Sequence, residues 1–158
     1  MTHGMTKPFR YFVRVRYQDC DSQHVVFNAR YGDYIDLAIT EFLAATMPDR
    51  DPVTNIFEIQ VKKQTIEWAA PARFNDVIEI TTAVSRMGNS SFDVGFELCL
   101  AGTSDPIVTV TCLYVHVVDD NGRWRSTPIP DGPRAQLLAG AKGKVIDHAG
   151  YFPITLGD

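Results

Sequence analysis

The chain lacks any apolar run long enough to cross a bilayer, and its start, MTHGMTKPF, lacks the apolar stretch of a secretory leader. A cytoplasmic location is the resulting expectation, without membrane partners. Cysteine is scarce and odd in number: Cys20, Cys99 and Cys112. Cys99 and Cys112 sit inside apolar, strand-like runs, which suits reduced, buried thiols better than a disulfide framework. No CxxC spacing suggests a metal, and nothing calls for a cofactor. Cations are outnumbered, 15 Lys and Arg against 19 Asp and Glu, for a formal net charge of -4. With no basic cluster interleaved with aromatics, a dedicated nucleic-acid binder is excluded. Internal repeats and low-complexity tracts are also missing. What is present, 158 residues with 45% hydrophobic and 22% charged, describes a single globular domain over residues 1–158, long enough to bury a real core.

Periodicity places the elements. Val13, Val15 and Tyr17 alternate with Arg14 and Arg16, the period-two pattern of a strand with one wet face. The period then changes. Tyr31, Tyr34, Ile35, Ala38, Phe42 and Leu43 form one stripe of an amphipathic helix over residues 29–45, with Asp33, Asp36 and Thr40 away from it. Pro48, Asp49 and Pro52 end that helix. Phe57, Ile59 and Val61 alternate next, and the phase slips across Lys62 and Lys63 to Gln64, Ile66 and Trp68, as a bulge or bend produces. Strands follow over Val77 to Val84, Phe92 to Leu100 and Ile107 to Val118. Turns are expected at Arg86 to Asn89 and at Asp119 to Gly122. The core thus occupies about residues 10–130, and the tail, 131–158, reads as a short helix or loop. One strand, one long helix and four strands joined by short turns define an α+β fold: an antiparallel five-stranded sheet around one long central helix. One helix covers one sheet face, so a homodimer or homotetramer is expected to close the rest.

The densest chemistry lies between the first strand and the helix, in YQDCDSQHVVFNARYGDYIDLA. Asp19 and Asp21 precede a helix start, where unbonded N–H groups and the positive dipole end polarise a carbonyl. Turn and capping roles suit both aspartates equally well, and the residues alone do not choose between them.

The stretches DCDSQHVVFNARYGDYIDLAITEFL, PARFNDVIEITTAVSRMGNSSF and VDDNGRWRSTPIP together resemble the hot-dog fold acyl-CoA thioesterases of the 4-hydroxybenzoyl-CoA thioesterase superfamily. The family pattern of Asp, turn, Val, a pair, then Tyr maps onto Asp21, Val26, Phe27-Asn28 and Tyr31. The resemblance implies an acyl-CoA or carrier-protein thioester as substrate, Asp21 as nucleophile or general base, and the backbone N–H of Asn28 as oxyanion donor. His24, one position away from the histidine of plant-like relatives, is a third candidate. Val26, Phe27, Tyr31, Phe57 and Trp68 are candidate walls of an acyl slot. Relatives with histidine or tyrosine at the position of Asn28 differ from this chain.

For coenzyme A the resemblance points to the turn between the third and fourth strands, with Arg86, Ser90 and Ser91, joined by Lys62, Lys63 and Arg73. Each of these, alone, equally suits a solvated strand face. His116 reads as a packed, hydrogen-bonded histidine, and Asp36 and Glu41 as a solvated helix stripe. Two alternatives to hydrolysis stand beside the leading reading: a hot-dog hydratase or dehydratase, pairing His24 with Asp36, and a non-catalytic acyl-thioester binding accessory protein.

Overall fold

The computed structural model describes residues 7–51 and 53–154; the segment through Thr6 and Pro52, both used above, lie outside them. Strand β1 (Phe9–Arg14) leads through two 3-10 turns, Tyr17–Asp19 and Asn28–Arg30, into helix α1 (Tyr31–Thr46). Strands β2 (Ile59–Trp68), β3 (Val77–Met87), β4 (Ser91–Leu100), β5 (Pro106–Asp120) and β6 (Arg123–Ser126) follow. Helix α2 (Asp131–Ala139) and strand β7 (Val145–Asp147) complete the chain.

The sheet runs β2-β5-β4-β3-β1-β7, with β6 on β5, and all pairings are antiparallel except β1 with β7. The α1 stripe of Tyr31, Tyr34, Ile35, Ala38 and Phe42 packs on the alternating Phe92, Val94, Phe96 and Leu98 of β4 and on Ile78, Ile80, Val110 and Tyr114 beside them. Among the described residues the other sheet face is open over the middle strands, where Ala83, Thr109 and Thr111 are exposed. The expected slip in β2 is a bulge, since the register against β5 shifts between Val61 and Lys63. Because of it Gln64, Ile66 and Trp68 oppose Cys112, Val110 and Val108, keeping the helix-side face that Ile59 and Val61 share with His116 and Tyr114.

Among the described residues, seven strands and two α-helices replace the expected five and one. Strand β6 is four exposed residues with no apolar alternation, and β7 is three residues held by partners far away in sequence. Helix α2 carries Gly132 and Pro133, which hide a helical period. Strand β3 runs on to Met87, so Arg86 belongs to the strand rather than to the turn.

The tail is a strap across the first strand. Val145, Ile146 and Asp147 pair with Arg10, Tyr11 and Phe12. The Asp147 carboxylate then accepts the N–H groups of Ala149, Tyr151 and Phe152 at 3.0, 3.1 and 2.9 Å. Arg14 donates to the Ala149 carbonyl, and Phe12 is buried with the rings of Tyr151 and Phe152 against it. Under the strap, His148 Nδ1 lies 3.0 Å from the Tyr11 hydroxyl, which burial and the nearby Glu41 push up to about 12. Ending the chain after Gly143 should expose Phe12 and one edge of β1, at a cost of about 2 kcal/mol or more for the phenyl ring alone. Urea unfolding measures it: an unchanged midpoint would mean that the strap contributes nothing to the sheet.

Candidate active site

The junction singled out by sequence is a tight hairpin followed by a helix start. Cys20 bridges Val26, and the loop between them closes by Asp21 N–H to the Val25 carbonyl at 2.9 Å and His24 N–H to the Asp21 carbonyl at 3.0 Å. The Asp21 carboxylate accepts the Gln23 N–H at 2.8 Å through one oxygen. Among the described residues its second oxygen has no partner. The hairpin is anchored sideways, Val25 against Arg73 and Val26 N–H to the Ala72 carbonyl.

Asp19, two residues earlier, has the opposite environment. It is 1% exposed and accepts the Arg16 N–H at 2.9 Å, the Arg16 guanidinium at 3.0 Å and the Tyr34 hydroxyl at 3.0 Å. Its backbone carbonyl takes the N–H of Phe27, the residue that begins the helix entry. Burial would raise this carboxyl, but the hydrogen bonds from the Arg16 side chain and backbone and from Tyr34, with the Arg16 charge, outweigh it and hold it below the ordinary range. The Tyr34 hydroxyl is raised by burial and by the same carboxylate.

The chain enters α1 through the 3-10 turn Asn28–Arg30. Phe27, with φ -60 and ψ 133, is the capping residue of the 3-10 turn, and Asn28 is the first residue inside it. No side chain caps this turn. Among the described residues no recorded acceptor takes the Asn28 N–H, as follows for the first residues of any helical turn. Asn28 also lines a cleft of about 260 Å³ with Val26, Tyr31, Trp68, Ala69, Ala70 and Pro71. Sequence reasoning missed the Ala69-Ala70-Pro71 wall; its signal is two small residues and a proline where a strand ends, fixed here by N–H bonds from Ala69 and Ala70 to the Ile107 carbonyl.

The other candidates divide. Val26, Tyr31 and Trp68 share the cleft with Asn28, whereas Phe27 is exposed and Asp21 lies on the hairpin without lining it. Phe57 does not join them: it sits at the far end of α1, stacked on His116 with ring centroids 4.4 Å apart, because a strand's alternation says which face a side chain takes and not which end of the helix it meets. His116 is buried, with Nδ1 2.8 Å from the Glu58 carbonyl oxygen. His24 is an exposed loop residue at φ 64 and lines none of the cavities described here. Asp36, raised by burial and by Asp33, lines a different groove between α1 and β1, one that His24 does not line.

The cations are dispersed too. Lys63 and Arg86 share a pocket of about 240 Å³ on the outer sheet face, but Arg86 is already bound by Asp93 at 2.9 and 3.1 Å and by the Ser91 hydroxyl at 3.0 Å. Lys62 is the bulge residue, and Ser90 gives its carbonyl to the His116 N–H. Arg73 stands apart, beside the Asp21 hairpin. Arg134 of α2, which sequence did not single out, holds the β3–β4 turn through the Gly88 and Asn89 carbonyls. Among the described residues no cluster of His, Cys, Asp and Glu is placed to hold a metal, and no helix is long and apolar enough to cross a membrane.

A mostly antiparallel sheet over one long helix is the fold of the solved hot-dog thioesterases. The PA5185 protein of Pseudomonas aeruginosa superposes with a TM-score of 0.74 at 23% identity, covering 88% of this chain and 95% of that one. The 4-hydroxybenzoyl CoA thioesterase of Pseudomonas sp. strain CBS-3 gives 0.71 at 16% identity, covering 80% and 96%. The family model of the thioesterase-like superfamily matches residues 15–137, and the chain belongs to that superfamily. It is also 37% identical over 93 residues to the acyl-CoA thioester hydrolase YbgC of Escherichia coli strain CFT073, a match over 54% of this chain and 65% of that relative.

The lowered Asp19 carboxyl has a signed consequence. Its contribution to stability is complete above the unfolded value of about 3.9 and is lost as pH falls through the folded one. Asp19→Asn should destabilise the fold by about 1–3 kcal/mol at neutral pH, because the buried Tyr34 hydroxyl loses its charged acceptor. The gap between the two proteins in urea unfolding should then close below about pH 4; a gap constant from pH 3 to 7 would contradict the ion pair.

Proposed function

We propose that the protein hydrolyses acyl-CoA thioesters, with Asp21 as the working carboxylate and the Asn28 N–H as the oxyanion donor. The observation that carries this is the division between the two aspartates. Asp19 has every oxygen committed to holding the fold, while Asp21, on a hairpin anchored beside the helix start, keeps one oxygen uncommitted. Membership in the thioesterase-like superfamily and the relation to an acyl-CoA thioester hydrolase support the same chemistry.

The step needs only substrate and water. The thioester carbonyl oxygen accepts the Asn28 N–H and gains charge as the tetrahedral carbon forms. Asp21 takes a proton from the attacking water, or attacks the carbon itself to give an acyl anhydride that water then opens. Either way a C–O bond forms, the C–S bond breaks, and the sulfur leaves as a thiolate that takes up the released proton. Val26, Tyr31 and Trp68 give the acyl group an apolar wall. The proposed thiol is coenzyme A or the pantetheine arm of a carrier protein, and thiol release from both kinds of thioester separates them.

Asp21→Asn should keep the circular dichroism spectrum and lose activity by about a hundredfold or more. An Asp21→Asn protein with wild-type turnover would exclude this carboxylate. Asn28→Ser should leave appreciable turnover, since the backbone donor stays. Asn28→Pro removes that donor and should cost about 3 kcal/mol of transition-state stabilisation. The backbone tolerates the exchange: proline suits the first position of a helical turn, and Phe27 already has the extended conformation that a following proline imposes. Equal loss in both folded variants would assign the work to the Asn28 amide side chain.

A further inference from the structure

The hairpin that carries Asp21 is held from outside by one short turn. Val25 bridges Arg73, and the Val26 N–H donates to the Ala72 carbonyl at 2.8 Å. The turn that follows, residues 73–76, closes on itself: the Asp76 N–H donates to the Arg73 carbonyl at 3.1 Å, and the Arg73 N–H to the Asp76 carboxylate at 2.9 Å. On its other side the turn is zipped to the end of the first strand. The Asn75 N–H donates to the Val15 carbonyl at 3.0 Å, and the Val15 N–H to the Asp76 carbonyl at 2.8 Å. Hairpin, turn and first strand therefore form one seam.

That seam holds strained backbone. Among the described residues three that are not glycine have positive φ, and two of them lie here: His24 at 64° in the hairpin and Asn75 at 70° in the turn. Such conformations persist where neighbours impose them. For Asn75 a neighbour is identifiable. The Arg14 guanidinium donates through one terminal nitrogen to the Asn75 carbonyl and side-chain oxygen at 3.2 and 3.3 Å. Its Nε and second terminal nitrogen donate to the Ala149 carbonyl of the strap at 3.2 and 2.9 Å. Ala149 is itself fixed, because its N–H is bound by the Asp147 carboxylate. Among the described residues Arg14 is the one side chain with hydrogen bonds to both the strap and the turn.

We infer that Arg14 is a positioning residue for Asp21: it clamps the turn that carries the catalytic hairpin to the C-terminal strap. This rests on the reading of Asp21 as the working carboxylate. A carboxylate on a short exposed hairpin reaches a carbonyl held at Asn28 only if the hairpin's outer support is rigid, and a displacement of about 1 Å at such a group costs up to a hundredfold in rate. Arg14 does not line the cleft at Asn28. Its loss thus falls on turnover and leaves substrate affinity in place. The fork geometry matters as much as the charge, since lysine presents a point charge that cannot span two acceptors in the same plane.

Thiol release from octanoyl-CoA and benzoyl-CoA tests this in a double-mutant cycle. Arg14→Ala should keep the circular dichroism spectrum, lower kcat about tenfold or more and leave KM nearly unchanged. Arg14→Lys should fall between it and the wild type, and added methylguanidinium should restore part of the rate to Arg14→Ala. In an Asp21→Asn background the Arg14→Ala change should add no further loss, because no carboxylate remains to be aimed. A merely structural arginine would instead reduce both backgrounds by the same factor, and that result overturns the inference. So does wild-type kcat in Arg14→Ala, or a loss confined to KM. Where alanine fails to fold, Arg14→Lys carries the same cycle with the same outcomes. A wild-type protein silent on every thioester overturns the hydrolase reading, and a fully active Asp21→Asn overturns the role of Asp21. An active wild type with a crippled Asp21→Asn and an untouched Arg14→Ala overturns this inference alone.

Discussion

The buried Asp19 carboxylate is the constraint around which the candidate site is assembled. A lone carboxylate out of water is costly, and this one persists because three donors from two segments converge on it. Tyr34 brings the first turn of α1, Arg16 brings the end of the first strand, and the backbone carbonyl of the same residue sets Phe27. Once those positions are set, the hairpin between Cys20 and Val26 has little freedom, and Asp21 and Asn28 come to flank one helix start. Charge committed to architecture at Asp19 leaves Asp21 with one carboxylate oxygen unbonded among the described residues.

The second organising feature is the phase of β2. Without the bulge, the half of the strand after Lys62 would present Lys63, Thr65 and Glu67 to the helix side, and Trp68 would leave the cleft. One extra residue thus keeps a single face apolar along a long edge strand while leaving two lysines at its middle. The same strand forms a wall of the cleft at its Trp68 end.

Much of this was legible in the sequence. The α1 stripe, the alternation of β4 and the phase slip at Lys62 are periodic signals, and they mark elements whose burial the structure shares. The rest depends on contacts that no local pattern encodes. Asp19 and Asp21 are the same residue type two positions apart, and what separates them is Tyr34, fifteen positions on. Strand β7 has three residues and takes its stability from a partner more than 130 positions away. Phe57 shows the limit of periodicity most simply: its face was readable, its neighbours were not. Asn28 has the composition of a cap and stands one residue past it, a shift set by the Phe27 bond to Asp19.

The strap that β7 lays over β1 also bears on when the protein becomes itself. Phe9–Arg14 is made before either of its partners, since it pairs on one edge with residues 77–82 and on the other with 145–147, and Phe12 stays uncovered until Tyr151 and Phe152 have been made. Synthesis from the N-terminus therefore holds β1 in waiting until residues 145–147 have emerged, and that edge of the sheet closes late.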